Sequence, residues 1–397
     1  MRSLRLASFK APATGFLSCL VLVGGCATSA QPAQTPGAEP TSTAPAPDSG
    51  NAGTPDAGTA GSETEIALTP TLREVAPAGF YVGTIAQGGG QMGRYWPYLT
   101  MPPLREIIST QFNSITGENQ AKWNTIHPRL DAYNFDDMDA MVDFAEENGM
   151  RVRGHTLLWH RDLPGWVFSL SDDDLRAVLE DHIKTTVGRY QGRIAQWDVA
   201  NEVIDDNGQW RSENPWIDRL GPDIIADAFR WAHEADPNAK LYLNDYSVEW
   251  DNAKWQKYTE YLPELVAAGA PIDGFGFQGH IDSDSGFPTA LGENMQFISD
   301  LGLDSEITEL DIRFPVDGDG QATAADLAQQ AEWFEQAYAT CLENARCTGV
   351  TLWGVGDYFS WVSNEFPGWG AATPFDRQLQ PKPSFTAIRA ALSSGRP

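Results

Sequence analysis

The chain has 397 residues, with 27 Lys and Arg against 54 Asp and Glu, giving a formal net charge of −27. A surface of that sign repels a phosphate backbone, which excludes nucleic acid as a partner. Four Cys spread over this length also exclude a disulfide-scaffold fold or a Cys-rich zinc protein. With 42% hydrophobic residues and 14 Trp, there is material for one large core and for an aromatic cleft besides.

In chain order, Arg2, Arg5 and Lys10 precede a mostly apolar run from Ala11 to Gly25. A positive start followed by an apolar stretch too short for a permanent span reads as a signal peptide over residues 1–25. The run ends in Val23-Gly24-Gly25-Cys26, which resembles a bacterial lipobox and makes Cys26 the candidate for lipidation, with Gly24 an imperfect match to the usual pattern. Ordinary cleavage nearby, with an inert Cys26, is the alternative. Cleavage before Cys26 removes three cations and no anion, taking the net charge from −27 to −30. Residues 26–70 are rich in Ala, Pro, Thr and Gly and poor in large apolar side chains, the composition of a flexible tether. The chain is thus expected to be exported and held at the bacterial cell surface or the outer face of a membrane, or otherwise secreted. Cys19 leaves with the signal, so Cys341 and Cys347 are left either to close a short loop or to stay free.

From Phe80 onward, short apolar or β-branched runs alternate with stretches of helical period. The expected strands are 81–86, 113–116, 151–157, 196–200, 240–244, 274–278, 307–312 and 349–353, with amphipathic helices at 136–147, 172–190, 222–235 and 324–344 among them. Eight such units fit a closed (β/α)8 TIM barrel over residues 71–397 better than an open doubly wound sheet. Gly88-Gly89-Gly90 follows the first strand, but no G-x-G-x-x-G opens a helix there, which argues against a dinucleotide site. In a barrel of this kind, chemistry sits at the C-terminal ends of the strands.

Two acids stand at such ends: Glu202, closing WDVANE, and Glu309, within ITELD. A pair of carboxyls is what glycoside cleavage requires. One protonates the departing oxygen and the other attacks the anomeric carbon or activates water, and a gap of about 5–5.5 Å selects direct attack with retention. Alternation along the sixth strand puts Gln278 and His280 on the face of Gly274 and Gly276, with Phe275 and Phe277 turned to the helices. The same alternation pairs His155 with Trp159, Asn244 with Tyr246, and Glu309 with Asp311. A metal site built from His155, His160, Asp162 and His280 is the weaker reading, because ligand spacings such as H-E-x-x-H are missing and His155 and His160 differ in parity. No G-x-S-x-G elbow supports a serine nucleophile.

FNSITGENQAKW, NGMRVRGHTLLWH, WDVANE, LYLNDY, PIDGFGFQGH, ITELDI and RCTGVTLWGVGDYFSW, in that order, closely resemble the strand motifs of glycoside hydrolase family 10, the retaining endo-β-1,4-xylanases. The resemblance runs from about Phe80 to about Leu392 and implies hydrolysis of internal xylosidic bonds without a cofactor or metal, by a monomer acting on xylan and xylo-oligosaccharides. It implies Glu202 as acid/base, Glu309 as nucleophile and Asn201 as a ligand of the sugar 2-hydroxyl. It further implies His280 holding Glu309 with support from Asp311, and His155 and Gln278 facing the sugar. Glu118, Asn119 and Lys122 would form the next glycone subsite, with Trp159 and Trp353 as walls, Trp361 as a lid, and Asn244 and Tyr246 on the aglycone side. Cys341 and Cys347 match a pair that the family often carries before its last strand. Trp123, Asp198 and Asp245 are expected to serve packing rather than substrate. Two positions depart from the family pattern: Arg161-Asp162 stands where a polar residue and Gln are usual, and Tyr358 follows Asp357 where Lys is usual. A β-1,4-glucanase on the same barrel and a non-hydrolytic glycan-binding protein are the rival readings.

Overall fold

The structure, a computed structural model, describes residues 68–89 and 97–396. The expected signal segment, Cys26 and the tether as far as residue 67 lie outside the described residues. Leu68 already packs on the core, and its carbonyl accepts from Gln111 Nε2 at 3.1 Å.

The strands are β1 (Tyr81–Ala86), β2 (Ser114–Gly117), β3 (Arg151–Leu158), β4 (Gln196–Asn201), β5 (Lys240–Asp245), β6 (Gly274–Phe277) with its continuation β7 (His280–Asp282), β8 (Asp304–Pro315) and β9 (Cys347–Leu352). Each pairs in parallel with the next around the ring, β6 pairing directly with β8, and β9 returns to β1 with Tyr81 opposite Gly349. The ring is closed, as a (β/α)8 barrel requires, and the open-sheet alternative is excluded. A helix follows each barrel strand: Pro102–Gln111, Asp136–Glu147, Asp172–Arg189, Ile224–Ala235, Ala253–Ala267, Leu291–Asp300, Ala324–Glu343 and Pro383–Ser394.

The sequence dictates these helices locally. Asp172–Arg189 is capped by Ser171, whose side chain accepts from Asp174 N–H, and its first turn carries three Asp that complement the helix dipole. Its buried residues, Leu175, Val178, Leu179, His182, Ile183 and Val187, recur every three to four positions and face the barrel. Phe275 and Phe277 meet Trp255 and Tyr258 of the Ala253–Ala267 helix, so their even-numbered neighbours turn into the barrel. Gly276 is required there, because a Cβ would lie 2.2 Å from Asn244 Oδ1.

The barrel interior is polar where apolar packing would be the default. Arg153 is fully buried, bonded to Asp198 and to the Thr308 carbonyl, and Arg151 meets Glu306 at 2.9 Å. Each buried charge therefore has its partner. Away from the mouth, Cys341 and Cys347 form a disulfide with Cα atoms 5.3 Å apart, which joins the end of the Ala324–Glu343 helix to the start of β9. This answers the choice between a bridge and free thiols.

Candidate active site

A cleft of about 1060 Å³ opens at the C-terminal mouth of the barrel, lined by side chains that follow β2, β3, β4, β5, β6, β8 and β9. Glu202 and Glu309 both line it. At Glu202 the chain leaves β4 with φ +52°, a left-handed conformation that costs a non-glycine residue about 1–2 kcal/mol. Its N–H donates to the Asn244 carbonyl at 2.9 Å, and its Oε1 accepts from Gln278 Nε2 at 3.1 Å.

Glu309 sits in a cradle of donors. Asn244 Nδ2 donates to Oε1 at 2.8 Å, His155 Nδ1 lies 3.8 Å from Oε1, and His280 Nε2 lies 3.4 Å from Oε2. Burial pushes this carboxyl up, but His155, His280 and Arg153 outweigh it and hold Glu309 at about 2. His280 is itself fixed from behind by Asp311, whose Oδ2 accepts from His280 Nδ1 at 3.0 Å and from Trp361 Nε1 at 2.7 Å. Burial lowers the His280 imidazole, but Asp311 and Glu309 raise it to about 10, so it is a cation over the working range. The result is a carboxylate held ionised.

One hydrogen-bonded relay joins the two acids. Gln278 Nε2 reaches Asn201 Oδ1 at 3.4 Å as well as Glu202, and Asn244 Nδ2 donates to Asn201 Oδ1 at 2.9 Å as well as to Glu309. Thr308 Oγ1 donates to Asn244 Oδ1 at 2.6 Å, which fixes the direction of that amide. Asn244 is fully buried and does not line the cleft. Its expected place on the aglycone wall is therefore corrected: strand parity reports which way a side chain points, not how deep in the barrel it lies, and Asn244 lies under the carboxylates. Asn201 is equally buried beside it.

Along one side of the cleft stand Glu118, Asn119 and Lys122. Gly88 N–H donates to Glu118 Oε2 at 2.8 Å, and burial raises that carboxyl against the bond from Gly88 and the charge of Lys122. Lys122 Nζ donates to Asn119 Oδ1 at 3.1 Å and lies 5.1 Å from the Trp159 ring. Asp162, where the motif departs from the family pattern, lines the cleft 3.5 Å from Lys122 Nζ and neutralises much of that charge. Trp353 and Trp361 wall the cleft, their ring centres 6.3 and 5.0 Å from the His280 ring. On the far side, the Tyr246 hydroxyl accepts from Arg211 Nη2 at 3.0 Å.

Trp123 is packed, its Nε1 donating to the Leu157 carbonyl at 2.7 Å and its ring stacked 3.7 Å from His182. Asp245 is buried against Tyr258 and Lys254. Asp198 does more than brace the barrel, because its Oδ2 lies 2.8 Å from His155 Nδ1 and so orients a ring beside Glu309. Tyr358 is 61% exposed with Arg377 against its ring, and Lys382 supplies the ammonium at Asp357, 3.0 Å away.

His160 was weighed in the sequence only as a metal ligand, and Arg211 not at all. His160 lies 3.9 Å from Glu202 Oε2, and burial together with Arg211 and Arg161 outweighs Glu202 to hold it neutral, at about 4. Parity set it against His155, but β3 ends at Leu158 and both Trp159 and His160 belong to the turn, where alternation no longer applies. Arg211 donates to the Glu202 carbonyl at 2.8 Å, and nothing in the NGQWRSEN stretch marks it as a site residue.

A parallel barrel whose mouth carries one ionised, cation-cradled Glu and a second Glu across the same cleft has the layout of a (β/α)8 glycoside hydrolase. The model of glycosyl hydrolase family 10 matches residues 71–391, and the chain belongs to that family. It is 40% identical over 297 residues to endo-1,4-beta-xylanase B of Thermotoga neapolitana, covering 74% of this chain and 85% of that one. Beta-1,4-xylanase of Dictyoglomus thermophilum is 36% identical over 333 residues, covering 80% and 90%. Among solved structures, native xylanase 10B from Thermotoga maritima superposes with a TM-score of 0.76 at 41% identity, covering 82% of this chain and 98% of its own. Xylanase 10B from Thermotoga petrophila RKU-1, solved in complex with xylobiose, gives a TM-score of 0.76 at 39% identity, covering 84% and 99%.

Proposed function

We infer that this chain is an endo-1,4-β-xylanase that hydrolyses internal bonds of xylan with retention of configuration. Membership of family 10 and the likeness to relatives named as xylanases support the reaction. The observation that carries the assignment of roles is the contrast between the two carboxyls. Glu309 is held ionised by His155, His280 and Arg153, whereas Glu202 meets the neutral amide of Gln278 and the neutral His160.

In the first step, Glu309 attacks the anomeric carbon while Glu202 gives its proton to the departing glycosidic oxygen, leaving a glycosyl-enzyme ester and a shortened chain. In the second, Glu202 takes a proton from water, whose oxygen displaces Glu309 and restores both carboxyls. Two inversions give net retention. His155 and Gln278 would face the sugar at the cleavage point, while the contact expected of Asn201 with its 2-hydroxyl meets the same objection as Asn244, since Asn201 is fully buried and does not line the cleft. Glu118, Asn119 and Lys122 would bind the next sugar on the glycone side, and Tyr246 would meet the aglycone. Xylose lacks the hydroxymethyl group at C5, and Trp353 and Trp361 crowd the cleft where a glucose would carry it.

Comparing kcat/KM on xylohexaose and cellohexaose tests the substrate. The xylan reading expects a preference of about 100-fold, the scale on which a crowded pocket rejects one extra methylene-sized group, and equal rates would overturn it. Glu309→Gln separates an enzyme from a glycan-binding protein: hydrolysis is lost while binding of xylohexaose is kept. Export through residues 1–25 and lipidation of Cys26 rest on the composition of that segment. Radiolabelled palmitate should enter the full-length chain and not its Cys26→Ala variant.

A further inference from the structure

The strand that carries Gln278 and His280 is interrupted between them. β6 ends at Phe277 opposite Ile307 and β7 resumes at His280 opposite Asp311, so three steps on one strand match four on the other. Gly279 fills the break with φ +79°. A side chain there would press on Ile307 Cγ2 at 2.9 Å. The flanking residues touch both acids, Gln278 through Glu202 Oε1 and His280 through Glu309 Oε2. Neighbouring strands satisfy most of the local backbone: Gln278 N–H donates to the Asp245 carbonyl, the Gln278 carbonyl accepts from Glu309 N–H, and the Gly279 carbonyl accepts from Asp311 N–H. The Gly279 N–H has no strand partner. It donates instead to Glu249 Oε1, at 2.6 Å.

Resting on the hydrolase reading above, we propose that Glu249 is a positioning residue for the reaction, its carboxyl oxygen fixing the break that sets Gln278 against Glu202 and His280 against Glu309. Glu249 is 1% exposed and does not line the cleft, so it touches no substrate. It is not needed to hold its own loop, because Asn294 Nδ2 donates to the Val248 carbonyl at 3.0 Å and Asn252 Nδ2 to the Ser247 carbonyl at 2.6 Å. Its Oε2 is buried with no hydrogen-bond partner among the described residues. The bond to Gly279 N–H is the one that ties this carboxyl to another strand. Burial pushes it up to about 7, against hydrogen bonds from its own N–H and Gly279 N–H and the charges of His280 and Lys254, so a neutral acceptor can stand in for it.

The test separates reach from charge. Glu249→Gln keeps an oxygen at the same distance and loses the charge, whereas Glu249→Asp keeps the charge and draws the oxygen back by one methylene. Initial rates on dinitrophenyl xylobioside and on xylohexaose, with melting curves, are taken for both variants and the parent chain. The expected result is Glu249→Gln within threefold of the parent, and Glu249→Asp reduced about 10- to 100-fold in kcat with KM changed less than threefold, as a misplacement near 1 Å produces. The proposal is overturned if Glu249→Asp matches the parent, if the two variants are equally impaired, or if the loss in Glu249→Asp only follows its unfolded fraction or its KM. A parent chain inactive on both substrates would instead overturn the hydrolase reading.

Discussion

Replacing His280 by Gln removes one of the groups that hold Glu309 ionised. The Glu309 carboxyl stands at about 2 against an ordinary 4.5, even though burial pushes it up. At 1.36 kcal/mol per pKa unit, that difference is about 3 kcal/mol in favour of the carboxylate. His280 shares it with His155 and Arg153, and it also gives a direct contact at 3.4 Å, so its removal should return about one to two units. With dinitrophenyl xylobioside, whose leaving group needs no proton, kcat/KM reports the nucleophile alone. The acid limb should move from near 2 in the parent chain to about 3–4 in His280→Gln. Stability follows with opposite signs for the two groups. Glu309 is depressed in the fold, so its contribution is present above 4.5 and lost as pH falls towards 2. His280 is raised from 6.5 to about 10, so its contribution is full below 6.5 and lost as pH rises through 10. The pair therefore stabilises most between pH 4.5 and 6.5, and His280→Gln should lack the alkaline slope expected of the parent chain in urea unfolding between pH 6.5 and 10. An unmoved acid limb together with an unchanged alkaline slope would refute the cradle.

Glu202→Ala should lower kcat on xylan by about 10²–10⁴ through loss of the general acid, while release of dinitrophenolate in a single-turnover burst falls far less; equal losses on both would contradict the role. Breaking the Cys341–Cys347 bridge with Ser at both positions opens a loop of sequence separation 6. It should cost about 2 kcal/mol by chain entropy, lowering the melting temperature without altering kcat at 25 °C, since the bridge lies at the start of β9 and the cleft beyond its end. Arg153→Met takes the guanidinium from Asp198 and leaves that buried carboxyl only the His155 ring, which should destabilise by about 3–5 kcal/mol, read as a lower urea midpoint.

The barrel was legible because each strand is a short run of apolar or β-branched residues between helices of regular period, and because polar residues cluster where those runs end. Glu202, Glu309, Gln278 and His280 declared themselves in that way. β8 was harder to bound: it begins at Asp304, and Ser305 and Glu306 look like loop residues until Arg151 is seen opposite Glu306 inside the barrel. Charge pairs between distant strands leave no trace in local hydropathy, and the same holds for Arg153 with Asp198. Asn244 was given the right face and the wrong depth, for alternation carries no information along the barrel axis. Glu249 and Arg211 act on backbone groups of other segments, which only the folded chain brings together.

The most direct test of the central claim is to treat the protein with a 2-fluoro-xylobioside bearing a good leaving group, which forms the glycosyl-enzyme quickly and releases it slowly, and then to map the labelled peptide by mass spectrometry. The account predicts stoichiometric inactivation with a single adduct on Glu309. Inactivation with the sugar on any other residue, or continued turnover with no adduct at all, would contradict it.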